Sequence, residues 1–263
     1  NNVSTTSNIP AERGYNQNGT PKQVKGESDN NFFNRQYNYI MNPLDSADLW
    51  EKPIIDKQEK PLIKTREDAV NYIEKDYQST FTKVPKELAD TSDVTISKGF
   101  NDVLIPALQT INDNFKDKGY EVKIHQGSRS LAEQQQHLKS GASTIPVSLH
   151  NVGEAVDISF WKDGKKVMIT DPSKQSQETK DMLKEIGDKI EELGFVWGGK
   201  WNNPYDPWHV QYHKNTKSYL ESNKDMIPTF KAFLPDYKER LKVTTDSSDK
   251  QKLKTLIEFL EKS

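Results

Sequence analysis

Cysteine is absent from all 263 residues. That excludes disulfides, thiolate metal sites and a cysteine nucleophile, and it leaves the redox compartment open. Apolar residues are scarce at 33%, and mean hydropathy is −0.89. These values are low for a chain that is globular throughout, so part of it is expected to be an arm or tail. No apolar run approaches the roughly 20 residues that a bilayer-spanning helix needs. Nor does a basic-then-apolar signal peptide open the chain. The first residue is Asn1 rather than Met, so a missing leader or longer precursor is an expectation. Charge of one sign is lacking too. Lys and Arg number 37 against 39 Asp and Glu, a net charge of −2. Without a basic surplus to neutralise phosphates, nucleic-acid binding is not expected. At this length the chain is one large domain, or one domain with appendages.

What is present is unevenly spread. Residues 1–31 hold seven Asn and few apolar side chains, and such a stretch cannot offset its own ordering entropy. It reads as an extended arm. Residues 32–63 add anchors such as Phe32, Tyr39 and Trp50 among prolines and read as a strap that docks without regular structure. Thr65 to Asp68 resembles a capping box ahead of a short helix reaching about Asp76. Phe100, Val103, Leu104, Ala107, Leu108, Ile111 and Phe115 recur at helical spacing, which predicts a helix over about 97–118, with Pro106 as a possible kink and Gly119 as its stop. Tyr120, Val122 and Ile124 alternate as in a strand. A helix over about 131–139, a strand over 155–160, a hairpin turn at Asp163-Gly164 leading to Val167–Ile169, a helix from Met182 to Leu193 and a short strand at 209–212 complete the pattern. Leu253, Leu256, Ile257 and Leu260 mark a final amphipathic helix. The expected class is α+β: a small, mainly antiparallel sheet with flanking helices, an extended N-terminal arm and C-terminal helices. The expected domains are an arm and strap over 1–63, a central domain over 64–215 with its motif core at 97–215, and a helical extension over 216–263.

The informative stretch runs from Ser148 to Asp157. His150 and Asp157 stand seven residues apart with Gly153 between them. A loop followed by a strand can bring that imidazole and carboxylate to one point, and both suit a borderline metal such as zinc. His209 is a candidate third ligand. Three ligands leave the fourth tetrahedral position open for water, as a catalytic zinc site requires. Asp206, three residues before His209, is then placed to take a proton from that water. Spacing alone leaves the plainer alternative standing, in which these are hydrogen-bonded or surface residues. His137 reads as lying on a solvated helix face and His213 as exposed after the last strand. His125 is open to either a cleft-facing or an ordinary position.

At these residues the chain resembles a known family. Ser148-x-His150-x-x-Gly153-x-Ala155-x-Asp157 and Asp206-x-x-His209 resemble the two signature motifs of the zinc D-Ala-D-Ala carboxypeptidases and L-alanyl-D-glutamate endopeptidases, a fold group shared with the hedgehog signalling domain. Gly127-Ser-Arg129-Ser130 with Glu133 and Gln134 is similar to the family's G-x-R-S…E-Q segment. Phe195-Val-Trp197-Gly-Gly-Lys-Trp201 is similar to a run typical of its phage-endolysin branch. The resemblance covers about 97–215.

The resemblance implies that His150, Asp157 and His209 bind zinc. It makes Asp206 the general base and then acid, and Arg129 the group that polarises the scissile carbonyl. Ser148 is expected to orient the loop or a substrate group, with a plain turn role equally open. Trp197, Trp201 and Trp208 are expected to wall or line the substrate cleft. Lys200, Val210 and Gln211 depart from the commoner residues of this branch. The implied substrate is a peptidoglycan stem peptide, cut between L-Ala and D-Glu. The alternatives are a D-Ala-D-Ala carboxypeptidase, and a wall-binding or virion module that keeps the fold. The polar arm points to docking on a larger assembly such as a tail tip. The expected location is outside the cell, at the wall or on a virus particle.

Overall fold

The computed structural model describes residues 61–169, 173–202 and 204–263. The arm, and the strap through residue 60, lie outside them.

The first helix, α1 (Arg66–Asn71), starts at a full capping box, with the Thr65 hydroxyl accepting from the Asp68 amide and the Asp68 carboxylate accepting from the Thr65 amide. It continues as a π-helical stretch to Tyr77. Strands β1 (Thr82–Lys83) and β2 (Thr95–Ile96) pair antiparallel ahead of the long helix α2 (Lys98–Phe115). Ser97 caps α2, Pro106 lies inside it, and a 3-10 turn ends it at Gly119, which is left-handed at φ 71°. Next come β3 (Tyr120–Gln126), α3 (Leu131–Ser140), β4 (Ala155–Lys162), β5 (Lys165–Lys166), α4 (Gln177–Glu192), β6 (Val196–Trp197) and β7 (His209–Gln211). Four helices follow: α5 (Thr216–Ser222), α6 (Ile227–Lys231), α7 (Leu234–Val243) and α8 (Ser247–Lys262). The class is α+β, as the residue pattern implies.

The main sheet has the order β3-β4-β7-β6, with β5 on β4, and every pairing is antiparallel. Because strand side chains alternate faces, β4 serves two environments. Val156, Ile158 and Phe160 enter a core shared with α2, α4 and Val210 of β7. Asp157 points the other way, and so do His209 and Gln211, which flank Val210. The hairpin's third strand is Lys165–Lys166 rather than 167–169, and Val167 packs partly against the core instead.

A second core lies on the opposite face. Leu149, Val152 and Ala155 from the segment around the first motif meet Ala69 and Ile73, and Tyr219, Phe230, Tyr237, Leu256 and Leu260 close over them. The segment 216–263, expected as an extension, thus packs directly on the loop that carries His150. Tyr237 donates from its hydroxyl to the Val147 carbonyl at 3.2 Å, and Arg240 donates to the Ser143 carbonyl at 3.2 Å.

Candidate metal centre

Ser148 opens a 3-10 turn, Leu149–Val152, by accepting from the His150 amide. Gly153 ends the turn in the left-handed region at φ 68°. A Cβ at Gly153 would stand 2.5 Å from the Ser97 amide nitrogen, so only glycine fits both the conformation and the contact. The turn is tied to the Gly127–Ser130 loop: the Arg129 backbone amide donates to the His150 carbonyl, and the Asn151 side chain donates through Nδ2 to the Arg129 carbonyl at 2.8 Å. His150, 2% exposed, hydrogen-bonds through Nδ1 to the Gly127 carbonyl at 2.8 Å. A carbonyl only accepts, so Nδ1 carries the hydrogen and Nε2 turns an unshared pair inward.

Sheet register supplies the other two groups. Asp157 and His209 are directly opposed residues of β4 and β7, and facing side chains of such a pair lie close together. Asp157 Oδ1 stands 3.4 Å from His150 Nε2 and 3.6 Å from His209 Nδ1. The two imidazole nitrogens are 3.2 Å apart. Nitrogen and oxygen atoms of these three side chains fall within 4.8 Å of one another, a set able to hold a metal ion. Burial pushes the Asp157 carboxyl up, but the His150 and His209 imidazoles outweigh it and hold the group well below the usual carboxylate range. Burial pushes His209 down most, but Asp157, Asp206 and Gln211 together raise it, for a net rise. An ionised carboxylate between two inward-facing imidazoles is a donor set that fits zinc, with nitrogen and oxygen ligands and a further position free.

Arg129 is 7% exposed. Its fork donates to Gln134 Oε1 at 3.1 Å, Gln126 Oε1 at 3.1 Å and Asp157 Oδ2 at 3.2 Å. The guanidinium therefore holds the outer oxygen of Asp157 and leaves Oδ1 facing the histidines. Glu133 caps α3 through Ser130, while Gln134 braces Arg129. Asp206 lies outside the three-residue metal set. Its backbone is fixed by a bond from its amide to the Gly198 carbonyl at 3.1 Å, and a Cβ at Gly198 would meet the Asp206 carbonyl oxygen at 2.3 Å. Burial raises the Asp206 carboxyl above its ordinary value, with His209 pulling against the shift.

The aromatic residues separate. Trp208 is 41% exposed, and the Trp201 ring lies 5.1 Å from the His209 ring. Trp197 is a correction to the expected cleft role. It is 4% exposed, packs against Gly187 of α4, and donates from its indole to the Pro207 carbonyl at 2.7 Å. Ser148 is buried, and the turn role is the one seen. His213 is buried rather than exposed, with Nε2 4.0 Å from Glu154. His137 is half-buried. His125 is half-exposed, bonds Asp90 at 2.8 Å, and lines a separate pocket of about 340 Å³ with Thr91–Thr95. Sequence reasoning missed the Gly127 carbonyl, since a backbone atom leaves no residue-type signal. It also missed Gln126, whose side chain reaches Arg129 at a shift in the β3–β4 register.

Known proteins resemble this chain over the same region. Residues 141–212 match the model of a family described as D-alanyl-D-alanine carboxypeptidase. The L-alanyl-D-glutamate peptidase of Listeria phage A118 is 34% identical over 113 residues, 43% of this chain and 37% of that protein. The peptidoglycan L-alanyl-D-glutamate endopeptidase CwlK of Bacillus subtilis (strain 168) is 29% identical over 108 residues, 38% of this chain and 65% of that protein. The chain thus spans under two thirds of either relative. The crystal structure of the Serratia marcescens L-Ala D-Glu endopeptidase ChiX matches at a TM-score of 0.32 and 22% identity, covering 40% of this chain and 77% of that one. His150, Asp157, Asp206 and His209 all fall inside the matched stretch, and the chain carries a domain like that of the D-alanyl-D-alanine carboxypeptidase family.

Proposed function

We propose that this chain is a zinc-dependent peptidase of peptidoglycan stem peptides that cuts between L-Ala and D-Glu. The convergence of His150, Asp157 and His209 beside Asp206 and Arg129 carries the reading. His150 Nε2, an Asp157 oxygen and His209 Nδ1 would hold the zinc. When bound, zinc supplies Lewis acidity, polarising a carbonyl and lowering the pKa of water. Asp206 takes the proton of the attacking water and returns it to the leaving amine. Its partial burial makes it a better base than a solvated carboxylate. Arg129 is a fixed cation beside the reacting carbonyl and stabilises the oxygen's developing charge while it steadies Asp157. Trp201 and Trp208 form cleft wall near His209.

The endopeptidase choice has support at Lys200. A carboxypeptidase needs a cation for the substrate's terminal carboxylate, and Lys200 is the candidate in the Trp197–Trp201 run. Its ammonium is instead paired with Asp188 and Glu191 of α4. Both relatives are named for the L-alanyl-D-glutamate bond, one as a peptidase and the other as an endopeptidase. Among the described residues no helix is long and apolar enough to cross a membrane. A wall-acting role outside the cell follows from the substrate, and assembly into a virion through the N-terminal arm rests on composition alone.

Mass analysis of purified peptidoglycan after incubation with the protein tests this reading. New D-Glu amino termini are expected. Release of D-Ala from a pentapeptide stem, without such termini, would establish the carboxypeptidase reading instead. Asp206→Asn should lower turnover by about 10²–10⁴ while keeping bound zinc, and undiminished turnover would remove Asp206 from the mechanism.

A further inference from the structure

Each of the three metal-facing side chains has an outer partner. For His150 it is a backbone carbonyl, and for Asp157 it is Arg129. For His209 it is a neutral side chain, Gln211, two residues along β7 and on the same face of the strand. His209 Nε2 lies 2.7 Å from Gln211 Oε1. Gln211 is 6% exposed, and its other end meets the His213 carbonyl through Nε2 at 2.5 Å.

That second contact fixes the first. A side-chain amide has one accepting and one donating end. The His213 carbonyl can only accept, so it claims the Gln211 amino group. Turned over, Gln211 would set two acceptors against each other at that distance. Oε1 must therefore face His209, and as an acceptor it requires the hydrogen on His209 Nε2. His209 Nδ1 is left with its unshared pair directed at Asp157 Oδ1 and His150 Nε2. A metal-binding imidazole needs that arrangement, with one nitrogen bare and the other tethered.

We infer that Gln211 is a positioning residue for the metal centre, holding His209 in the Nε2–H tautomer so that Nδ1 is the ligand. This rests on the zinc reading above. The chain of contacts runs from the metal site through Gln211 to the backbone of His213, whose ring packs on Tyr219 of α5 at 5.3 Å between centroids. The C-terminal helices thereby reach His209 as well as the His150 loop.

The test has two readouts. In the metal-free wild-type protein at mildly alkaline pH, long-range nitrogen–proton NMR correlations should show His209 as the Nε2–H tautomer. Zinc affinity should then be measured by competition with a chelator. Gln211→Met fills similar space with neither end of the amide, and should bind zinc about 10–100-fold more weakly, with His209 no longer confined to one tautomer. Gln211→Glu keeps an acceptor toward His209 and, when protonated at its other oxygen, still donates to the His213 carbonyl, so in that form it should keep both the tautomer and most of the affinity. An Nδ1–H tautomer in the wild type would overturn the assignment. Unchanged zinc affinity in Gln211→Met would also overturn it, as would a Gln211→Glu protein as weak as the Met variant. If Gln211→Met does not fold, the wild-type tautomer and Gln211→Glu decide. A wild type with the expected tautomer but no zinc binding would sink the metal reading and leave Gln211 only as the group that fixes the His209 tautomer.

Discussion

Glu154 shows how burial alone changes a side chain's chemistry. It lies between the His150 turn and Asp157, 4% exposed, and accepts a hydrogen bond from the Ser97 hydroxyl at 2.6 Å. Burial pushes its carboxyl up from 4.5 to about 7, with Ser97 pulling the other way. His213, close by, is pushed down to about 4 by burial and offers no compensating charge near neutrality. The folded state therefore prefers the protonated Glu154. Its contribution to stability is fully present below the unfolded value and is lost as pH rises through about 7. The difference is on the order of 3 kcal/mol at most. Glu154→Gln should melt at nearly the wild-type temperature in acid and above it at alkaline pH. Parallel melting curves across that range would show that Glu154 ionises freely in the fold. The gathering of His150, Asp157 and His209 was legible because motif spacing picks out side chains able to ligate by type. The state of Glu154 was not, since the residue letter carries no information about the Ser97 hydroxyl or the depth of its burial.

Elements with a strong period were readable from the chain. Helix α2 follows its apolar stripe, and β3 and β4 follow their alternation. Helices α5, α6 and α7 were expected only as a helical extension without individual bounds, because they are short and Pro228 and Pro235 sit in the first turns of α6 and α7. They are stable through packing rather than through a repeat. Strand β6 is only two residues long, and Trp197 on it has its place set by α4. Gly187 of α4 faces that indole so closely that a Cβ would stand 2.0 Å from the ring. Helix propensity by itself makes Gly187→Ala stabilising by roughly 0.5–1 kcal/mol. The contact reverses the sign, and Gly187→Ala should destabilise by about 1–3 kcal/mol through overpacking. Denaturant unfolding measures it, and a gain in stability would mean that the α4–β6 contact is looser than described.

At the scale of the molecule, two cores meet at β4 and the metal site opens between the elements that bound them. The sequence places the motifs within 97–215, yet Leu149, Val152 and Ala155 are covered by residues from α5, α6, α7 and α8. A chain pattern cannot show this, since packing between the His150 turn and residues far later in the chain leaves no local periodicity. Ending the protein at residue 215 should expose that face and cost both the fold of the His150 turn and zinc binding. A truncated protein that binds zinc as tightly as the full chain would show that 216–263 is dispensable.

The central claim is that His150, Asp157 and His209 form one zinc site. Elemental analysis of the full chain and of His209→Ala, each loaded with zinc and dialysed, tests it most directly. The wild type should retain one zinc per chain and the variant should lose most of it. Stoichiometric zinc in His209→Ala, or none in a folded wild type, would contradict the account.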